Sequence, residues 1–573
     1  MSKIPSDIGF VSSRRGFLKR GLGLGVGGLV AGCGRTVIGG SGVQSAVVGG
    51  GSGSGPTPEP PQPPEPPQPP EPPKPPEPPK PPEPPTPPAN LQPTLTGSVS
   101  QVNASVTTTQ LGSVGTDFVG LSIEKSELSG RTFGETRASI INLFKALGSS
   151  VLRIGGGSVD TKNWVATDKN TGRTIGTGDI DEFAKFAQLT GWRLIYGIGL
   201  INTYSDGTDP VAAAAEEAQY AISKMGNIIT HLTLGNEPET PNPPSTYPYA
   251  SYTVYINKWL TYKRAIVSRV GNRAFAGPDT TGSGRAKDYA KPFANDVGSS
   301  NITLLTHHFY TVSSTDQTLY GTVGISETVR EQERAKFRST LLTIPTSTKL
   351  GENLSYIKPA ADGLNVKFRL TEVNSATGGG VLGVSDVYAS ALWSLDFMFL
   401  AAQGGASGVN FHGGDSARYT PFTFDRDGLL GVQPLYYAIL FFTMMGSGPV
   451  LSSSIDAGRN NISIYTIRTA SGYSVLLVNK EETTSFEVTL NLPTPVSSAT
   501  SIYLQGTSLL ARLPKNLGKN PDSGVGRIAI QNGVVSNLSG QLQGMDPSYN
   551  VGLTGGNPKV NVPPLTAVLV KVS

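Results

Sequence analysis

Cysteine is almost absent from this chain: 573 residues carry a single one, Cys33. That excludes an intrachain disulfide framework and any metal site built from several thiolates. Histidine is nearly as scarce, with four residues, which argues against a histidine-rich metal centre. Charge is thin as well. Only 15% of residues are Asp, Glu, Lys or Arg, and the formal net charge is +4. A nucleic-acid binder would show a concentrated basic face instead. No apolar run is long enough for a permanent membrane span; the longest, residues 21–32, is short and glycine-rich. A phosphate-binding GxGxxG fingerprint is also missing, because Gly155-Gly156-Gly157 leads to no such spacing.

Proline is abundant but confined. Of 45 prolines, 22 fall within residues 56–88, in a repeating Pro-Pro-Glu/Gln/Lys triplet. Such a triplet favours polyproline II, a semi-rigid spacer of about 3.1 Å per residue and so roughly 100 Å here. Upstream, Ser13-Arg14-Arg15-Gly16-Phe17-Leu18-Lys19 has the form of a twin-arginine export signal. The apolar run after it ends in Val30-Ala31-Gly32-Cys33, which resembles a bacterial lipobox. Lipidation of Cys33 would hold the protein at a membrane surface without inserting the fold. Residues 1–33 are therefore expected to be an export and lipidation signal and 34–93 a linker, giving an exported, lipid-anchored protein of the bacterial cell envelope.

From residue 117 apolar strands alternate with helical segments. Strands are expected at 117–124, 150–154, 193–199, 231–234, 273–276, 301–307, 366–370 and 407–411. Eight such units predict an α/β fold, a (β/α)8 barrel over residues 115–446. A doubly wound open sheet is the rival. After Gly446 short alternating segments predict an antiparallel β-sandwich over 447–573, with 94–114 supplying one of its strands.

A barrel presents its chemistry at the C-terminal strand ends. Residues expected there are Glu124, Asn202, Asn236, Glu237, Asp279, Tyr310, Glu372 and His412. Glu237, in Gly235-Asn236-Glu237-Pro238, follows strand four. Glu372, in Thr371-Glu372-Val373-Asn374-Ser375, follows strand seven. Those strands face each other across the barrel mouth. Paired carboxylates cleave glycosides, one protonating the leaving oxygen and the other attacking the anomeric carbon.

With these motifs the chain resembles the clan A retaining glycoside hydrolases, and within them family 79, the β-glucuronidase and heparanase-like family. Further motifs carrying the resemblance are Gly120-Leu121-Ser122-Ile123-Glu124, Leu152-Arg153-Ile154-Gly155-Gly156, His307-His308-Phe309-Tyr310, Gly378-Gly379-Gly380 and Gly408-Val409-Asn410-Phe411-His412-Gly413-Gly414. The resemblance runs from about residue 98 to the C-terminus and implies roles by position. Glu237 would be the acid/base and Glu372 the nucleophile. Asn236 would bond the sugar 2-hydroxyl, Tyr310 would orient Glu372, and Glu124 would accept sugar hydroxyls. The amides of Gly378 and Gly379 would receive a uronic acid carboxylate. The histidines His307, His308 and His412 are assigned supporting positions and no catalysis. Some relatives carry a carboxylate-binding tyrosine after the strand-eight asparagine. Here Phe411 stands there, and Thr377 replaces an aromatic.

The expected activity is that of a retaining exo-β-glucuronidase acting on glucuronide-bearing glycans, with no cofactor and no metal. A β-glucosidase or β-xylosidase of the same mechanism, and a non-catalytic carbohydrate-binding lipoprotein, are the alternatives. Endo action on sulfated chains would need a basic cleft, and the lysines and arginines are scattered along the sequence.

Overall fold

The computed structural model describes residues 91–573, apart from 169–171, 173, 202, 241–250, 283–285, 314–323, 344–347, 416, 426 and 516–522. Cys33, the export signal, most of the linker and Asn202 lie outside the described residues. Among the described residues, no helix is long and apolar enough to cross a membrane.

Eight parallel strands close into a barrel. In order they are Val119–Glu124, Val151–Gly155, Arg193–Ile198, Ile229–Leu234, Phe275–Thr281, Leu304–Val312, Lys367–Ala376 and Val409–Gly413. Closure comes from the eighth strand pairing with the first, Val409 opposite Val119. The strands are apolar throughout because helices cover their outer face and packed side chains fill their inner one. Val151–Gly155, for example, is buried at all five positions.

The connecting helices begin where the sequence can cap them. Asp209 accepts the amide of Val211 before Pro210–Met225, with proline in the first turn, where its missing N–H costs nothing. Ser326 accepts the amide of Val329 before Glu327–Leu342. A second helix, Thr348–Leu364, precedes the seventh strand, and a hairpin, Phe422–Asp425 with Gly428–Val432, follows the eighth. Neither element is expected from the sequence rhythm.

The rest of the chain builds one large, mostly antiparallel 11-stranded sheet that curls on itself as the sandwich. The strand Ser98–Val114 is part of it, antiparallel to Gly448–Ile455 and parallel to Thr484–Asn491. Gly472–Asn479 shows the period-two logic. Val475 and Leu477 join the sheet's own core, whereas Leu476 and Val478 join the core shared with the barrel. Between barrel and sheet lies the helix Tyr388–Gln403, apolar on every side and buried almost throughout. Its Phe399 stacks on Tyr465 of the sheet at 4.6 Å. Its one charge, Asp396, is paired with buried Lys480 at 2.7 Å.

Candidate active site

Glu237 sits just past the fourth strand on strained backbone, with φ of 43°. A non-glycine residue there costs on the order of 1–3 kcal/mol and must be held by its surroundings. Three consecutive amides do that. Gly235 donates to the carbonyl of Ile198 at 2.9 Å, and Glu237 to that of Asp279 at 3.0 Å. Between them, the Asn236 amide donates to the Asp160 carboxylate at 3.1 Å.

Glu372 reaches the same mouth through an irregularity in the seventh strand. Its pairing with the sixth strand shifts between Leu370 and Glu372. In a regular strand, neighbours Thr371 and Glu372 would face opposite sides. Here both point inward: the Thr371 hydroxyl donates to Asp279 at 2.6 Å, and Glu372 accepts from Arg153 at 2.8 Å. The Tyr310 hydroxyl donates to the other oxygen of Glu372 at 2.8 Å. The period-two rule separates the two adjacent histidines. His308 turns inward and bonds Glu237 at 2.9 Å. His307 turns outward to Thr280 and to Asn353 of the unexpected helix Thr348–Leu364.

One oxygen of Glu237, one of Glu372 and a ring nitrogen of His308 all lie within 4.8 Å of one another. Arg153 ties the cluster together. Fully buried, it donates to Glu372, to the Asn236 side chain at 2.7 Å and to Asp279 at 3.1 Å. Burial alone would raise the Glu372 carboxyl, but His412, His308 and Arg153 hold it well below the usual carboxylate range, helped by the Tyr310 hydroxyl. Burial likewise opposes charge on His308, yet Glu372, with bonds to Asp279 and Glu237, pushes its imidazole up to about 9. Within this trio His308 bonds Glu237 and Arg153 donates to Glu372, an arrangement that suits charge stabilisation.

Glu124 ends the first strand. Ser158 donates to it through both backbone and side chain, and His412 approaches to 3.6 Å. Against burial, these bonds lower its carboxyl below the ordinary value. Gly156 has to be glycine: its φ is 75°, and a Cβ there would lie 2.4 Å from the Glu124 carboxyl.

A cleft of about 450 Å³ opens beside Glu124 and His412 and is walled by Gly378, Gly379, Arg418 and Tyr419. Gly378, Gly379 and Gly380 have φ of 66°, 85° and 86°, a path that side-chain-bearing residues resist. The structure thus brings together Glu124, Asn236, Glu237, Tyr310, Glu372, Gly378 and Gly379. It corrects the weight placed on Phe411. That ring is fully buried and packs outward on Trp393 and Phe397, so it neither supplies nor denies a donor to the cleft. The phenol in the cleft is Tyr419, its ring 6.0 Å from that of Tyr310 and 6.1 Å from His412. The cleft wall also holds Glu127 and Asp415. Burial, then Asp415, pushes the Glu127 carboxyl up to about 7.

Sequence reasoning missed Arg153, Asp160, Tyr419 and the direct contact of His308 with Glu237. For Arg153 and His308 a signal existed, a charged or titratable residue inside a buried barrel strand. Tyr419 lies on a loop with no pattern to mark it.

No protein-family model matches this sequence, and no curated protein matches it either. Solved structures do. A 4-O-α-L-rhamnosyl-β-D-glucuronidase from Fusarium oxysporum 12S aligns over 82% of this chain and 100% of its own, with TM-score 0.60 and 19% identity. A family 51 arabinofuranosidase from Xanthomonas axonopodis pv. citri covers 82% and 100%, at TM-score 0.58 and 13% identity. A family 44 xyloglucanase from Paenibacillus polymyxa covers 83% and 100%, at TM-score 0.54 and 11% identity. The chain has the fold of these clan A-type (β/α)8 glycosidases, including their accompanying sheet.

Proposed function

We propose that the protein is a retaining glycoside hydrolase, and more specifically an exo-acting β-glucuronidase. The observation that carries the mechanism is the approach of Glu237 and Glu372 to within 4.8 Å, oxygen to oxygen, across the barrel mouth. Retaining enzymes hold their carboxyl groups about 5–5.5 Å apart, whereas inverting ones leave about 6.5–9.5 Å for a water. Glu372, kept ionised by Arg153 and Tyr310, attacks the anomeric carbon while Glu237 protonates the departing oxygen. The resulting glycosyl ester on Glu372 is then hydrolysed by a water that Glu237 deprotonates, and the configuration is retained. Asn236, oriented by Arg153, is placed to bond the sugar 2-hydroxyl, and Glu124 to accept further hydroxyls.

Support for a uronic acid comes from the glycine turn and Tyr419. A carboxylate entering a cleft loses hydration and needs donors. The amides of Gly378 and Gly379 and the Tyr419 hydroxyl can provide them, each charge-assisted bond contributing roughly 1.5–3 kcal/mol. The glucuronidase activity in the name of the Fusarium structure agrees with this reading. Glu127 and Asp415 on the same wall favour the second reading, a β-glucosidase or β-xylosidase, because they oppose an anionic sugar. Aryl β-glycosides differing only at the sugar C5 substituent decide between them. Preference for the glucuronide by about tenfold or more in kcat/KM is expected, with a β-configured first product by NMR. Equal kcat/KM for glucuronide and glucoside would overturn the uronic acid claim, and an α-configured first product would overturn retention. Export and lipidation at Cys33 complete the proposal and place the enzyme at the cell envelope.

A further inference from the structure

The end of the barrel opposite the catalytic cleft holds a pocket of about 190 Å³ that the mechanism does not use. It lies where the strands begin. Arg193, Leu304 and Lys367 are the first residues of the third, sixth and seventh strands, and Asp117 stands two positions before the first. Val151, Ile195 and Leu304 line the pocket and, with Ala276, form a small apolar cluster of their own that floors it. The charged lining is one-sided: Arg193, Lys367 and Arg369, with His231 beside them, meet a single acid, Asp117. Arg193 engages Asp117, so those two charges offset each other. Two cations remain. Lys367 is exposed and makes no hydrogen bond or ion pair among the described residues. Arg369 is only 4% exposed. Its guanidinium donates to neutral oxygens alone, from Nε to the Asn410 side chain at 2.6 Å and from Nη2 to the carbonyls of Asp117 and Phe118 at 3.1 Å and of Val409 at 3.4 Å. Nη1 makes no hydrogen bond among the described residues. The chain makes room for that group, since a Cβ at Gly408 would overlap it.

Neutral partners satisfy the N–H groups of Arg369 but not its charge, and arginine does not shed its proton to relieve the cost of burial. Burial, against the pull of Asp117, pushes the Arg369 guanidinium down to about 10, still charged at neutral pH. The same field acts on half-buried His231: burial, then Arg369 and Arg193, push its imidazole down to about 4. We propose that this pocket binds one phosphate or sulfate group, which bridges the starts of the third and seventh strands. Guanidinium and ammonium groups match such an oxyanion in charge, and guanidinium in geometry as well. The volume suits one tetrahedral group rather than a polymer. At this face a (β/α)8 barrel carries stability rather than chemistry, so the bound group acts as a structural ligand, independent of which sugar the cleft takes.

The test titrates the full chain calorimetrically with sodium phosphate, at an ionic strength held constant with chloride. One site is expected, with a Kd of about 1 mM or tighter, as two or three charge-assisted bonds would give. Lys367→Gln changes an exposed side chain without partners and should weaken binding about fivefold, the upper range for an exposed charge pair. Asp117→Asn removes the opposing charge and frees Arg193, so it should tighten binding about threefold. A bound anion offsets Arg369 and Arg193, so the NMR signal of the His231 ring, assigned through His231→Gln, should titrate at a higher pH with phosphate present. Sulfate binding as tightly as phosphate names any tetrahedral dianion. Glycerol 3-phosphate binding more tightly than phosphate names a phosphomonoester such as a lipid headgroup, and binding more weakly names the free ion. No binding by the parent, an unchanged Kd in Lys367→Gln, or an unmoved His231 signal overturns the site. An unchanged Kd in Lys367→Gln together with competitive inhibition of aryl glycoside hydrolysis overturns it too, by placing the phosphate in the catalytic cleft.

Discussion

The carboxylate of Asp160 accepts two backbone amides at once, that of Leu200 at 2.8 Å and that of Asn236 at 3.1 Å. It thereby fixes the ends of the third and fourth barrel strands and holds the strained turn that carries Glu237. Burial pushes this carboxyl up to about 6, against the pull of its two amide bonds. Because the folded value lies above the unfolded one, the folded state binds the extra proton between about pH 4 and 6. Stability contributed by this group is therefore fully present below about pH 4 and lost as pH rises to about 6, by on the order of 2–3 kcal/mol. Asp160→Asn should flatten that part of a plot of Tm against pH. It should also lower kcat about tenfold, since an NH2 then faces an N–H and the turn loses an anchor. An unchanged Tm profile would remove Asp160 from this role.

Glu237 and Glu372 should separate by leaving group. Glu372→Gln should abolish turnover of every aryl glycoside, because no other group is placed to attack. Glu237→Gln should hurt least where the phenol is acidic and needs little protonation. Azide should restore turnover to Glu237→Ala and give a β-configured glycosyl azide. Equal losses across leaving groups would contradict the division of labour.

Gly156 offers a test of Glu124 that leaves the glutamate in place. In Gly156→Ala the new Cβ would meet the Glu124 carboxyl at 2.4 Å, on backbone already at a φ of 75°. Displacing Glu124 removes hydroxyl contacts made in both ground and transition states, so KM should rise about tenfold with a smaller change in kcat. A fall in kcat at constant KM would assign Glu124 a transition-state role instead.

These sites show where the sequence was readable. The alternation of apolar strands with helices made the barrel legible, and Asn-Glu-Pro after strand four with a glutamate in strand seven made the catalytic pair legible. What was not legible depends on side-chain direction and on distant loops. Nothing local distinguishes inward His308 from outward His307, and only the shift at Leu370 to Glu372 lets Thr371 and Glu372 both face inward. Phe411 reads as a missing donor only where adjacency in sequence means adjacency in space. In the fold it packs under a helix, and Tyr419, eight positions later, occupies the cleft wall.

The contact between barrel and sheet should be sensitive to one ion pair. Asp396 accepts from Lys480 at 2.7 Å and from Tyr465 at 2.9 Å, and both charged side chains are fully buried. Removing one partner leaves an uncompensated buried charge, so Lys480→Met should destabilise by about 3–5 kcal/mol in urea unfolding. Replacing both, as Asp396→Leu with Lys480→Met, should recover much of that loss, because the double variant buries no lone charge. Recovery would show the pair to be dispensable for stability once both charges are gone; a double variant as unstable as the single one would mean that the Tyr465 and Ser463 bonds to Asp396 carry the contact.

Membrane attachment should rest on a single atom, the Cys33 sulfur. It is the chain's only thiol and follows Val30-Ala31-Gly32 directly after the apolar run. One lipid-bearing residue holds a protein at a bilayer through its acyl chains alone, at about 0.8 kcal/mol per buried CH2. Cys33→Ser removes every such chain and leaves the folded domain's sequence untouched. The variant should therefore appear in the soluble fraction of the envelope, whereas the parent sediments with membranes and leaves them only in detergent. Hydrolysis of the aryl substrate should be the same for both, since the first residue of the sheet strand Ser98–Val114 lies 65 positions after Cys33. Equal activity with altered sedimentation separates anchoring from catalysis. A Cys33→Ser protein that still sediments would locate the attachment elsewhere in the chain.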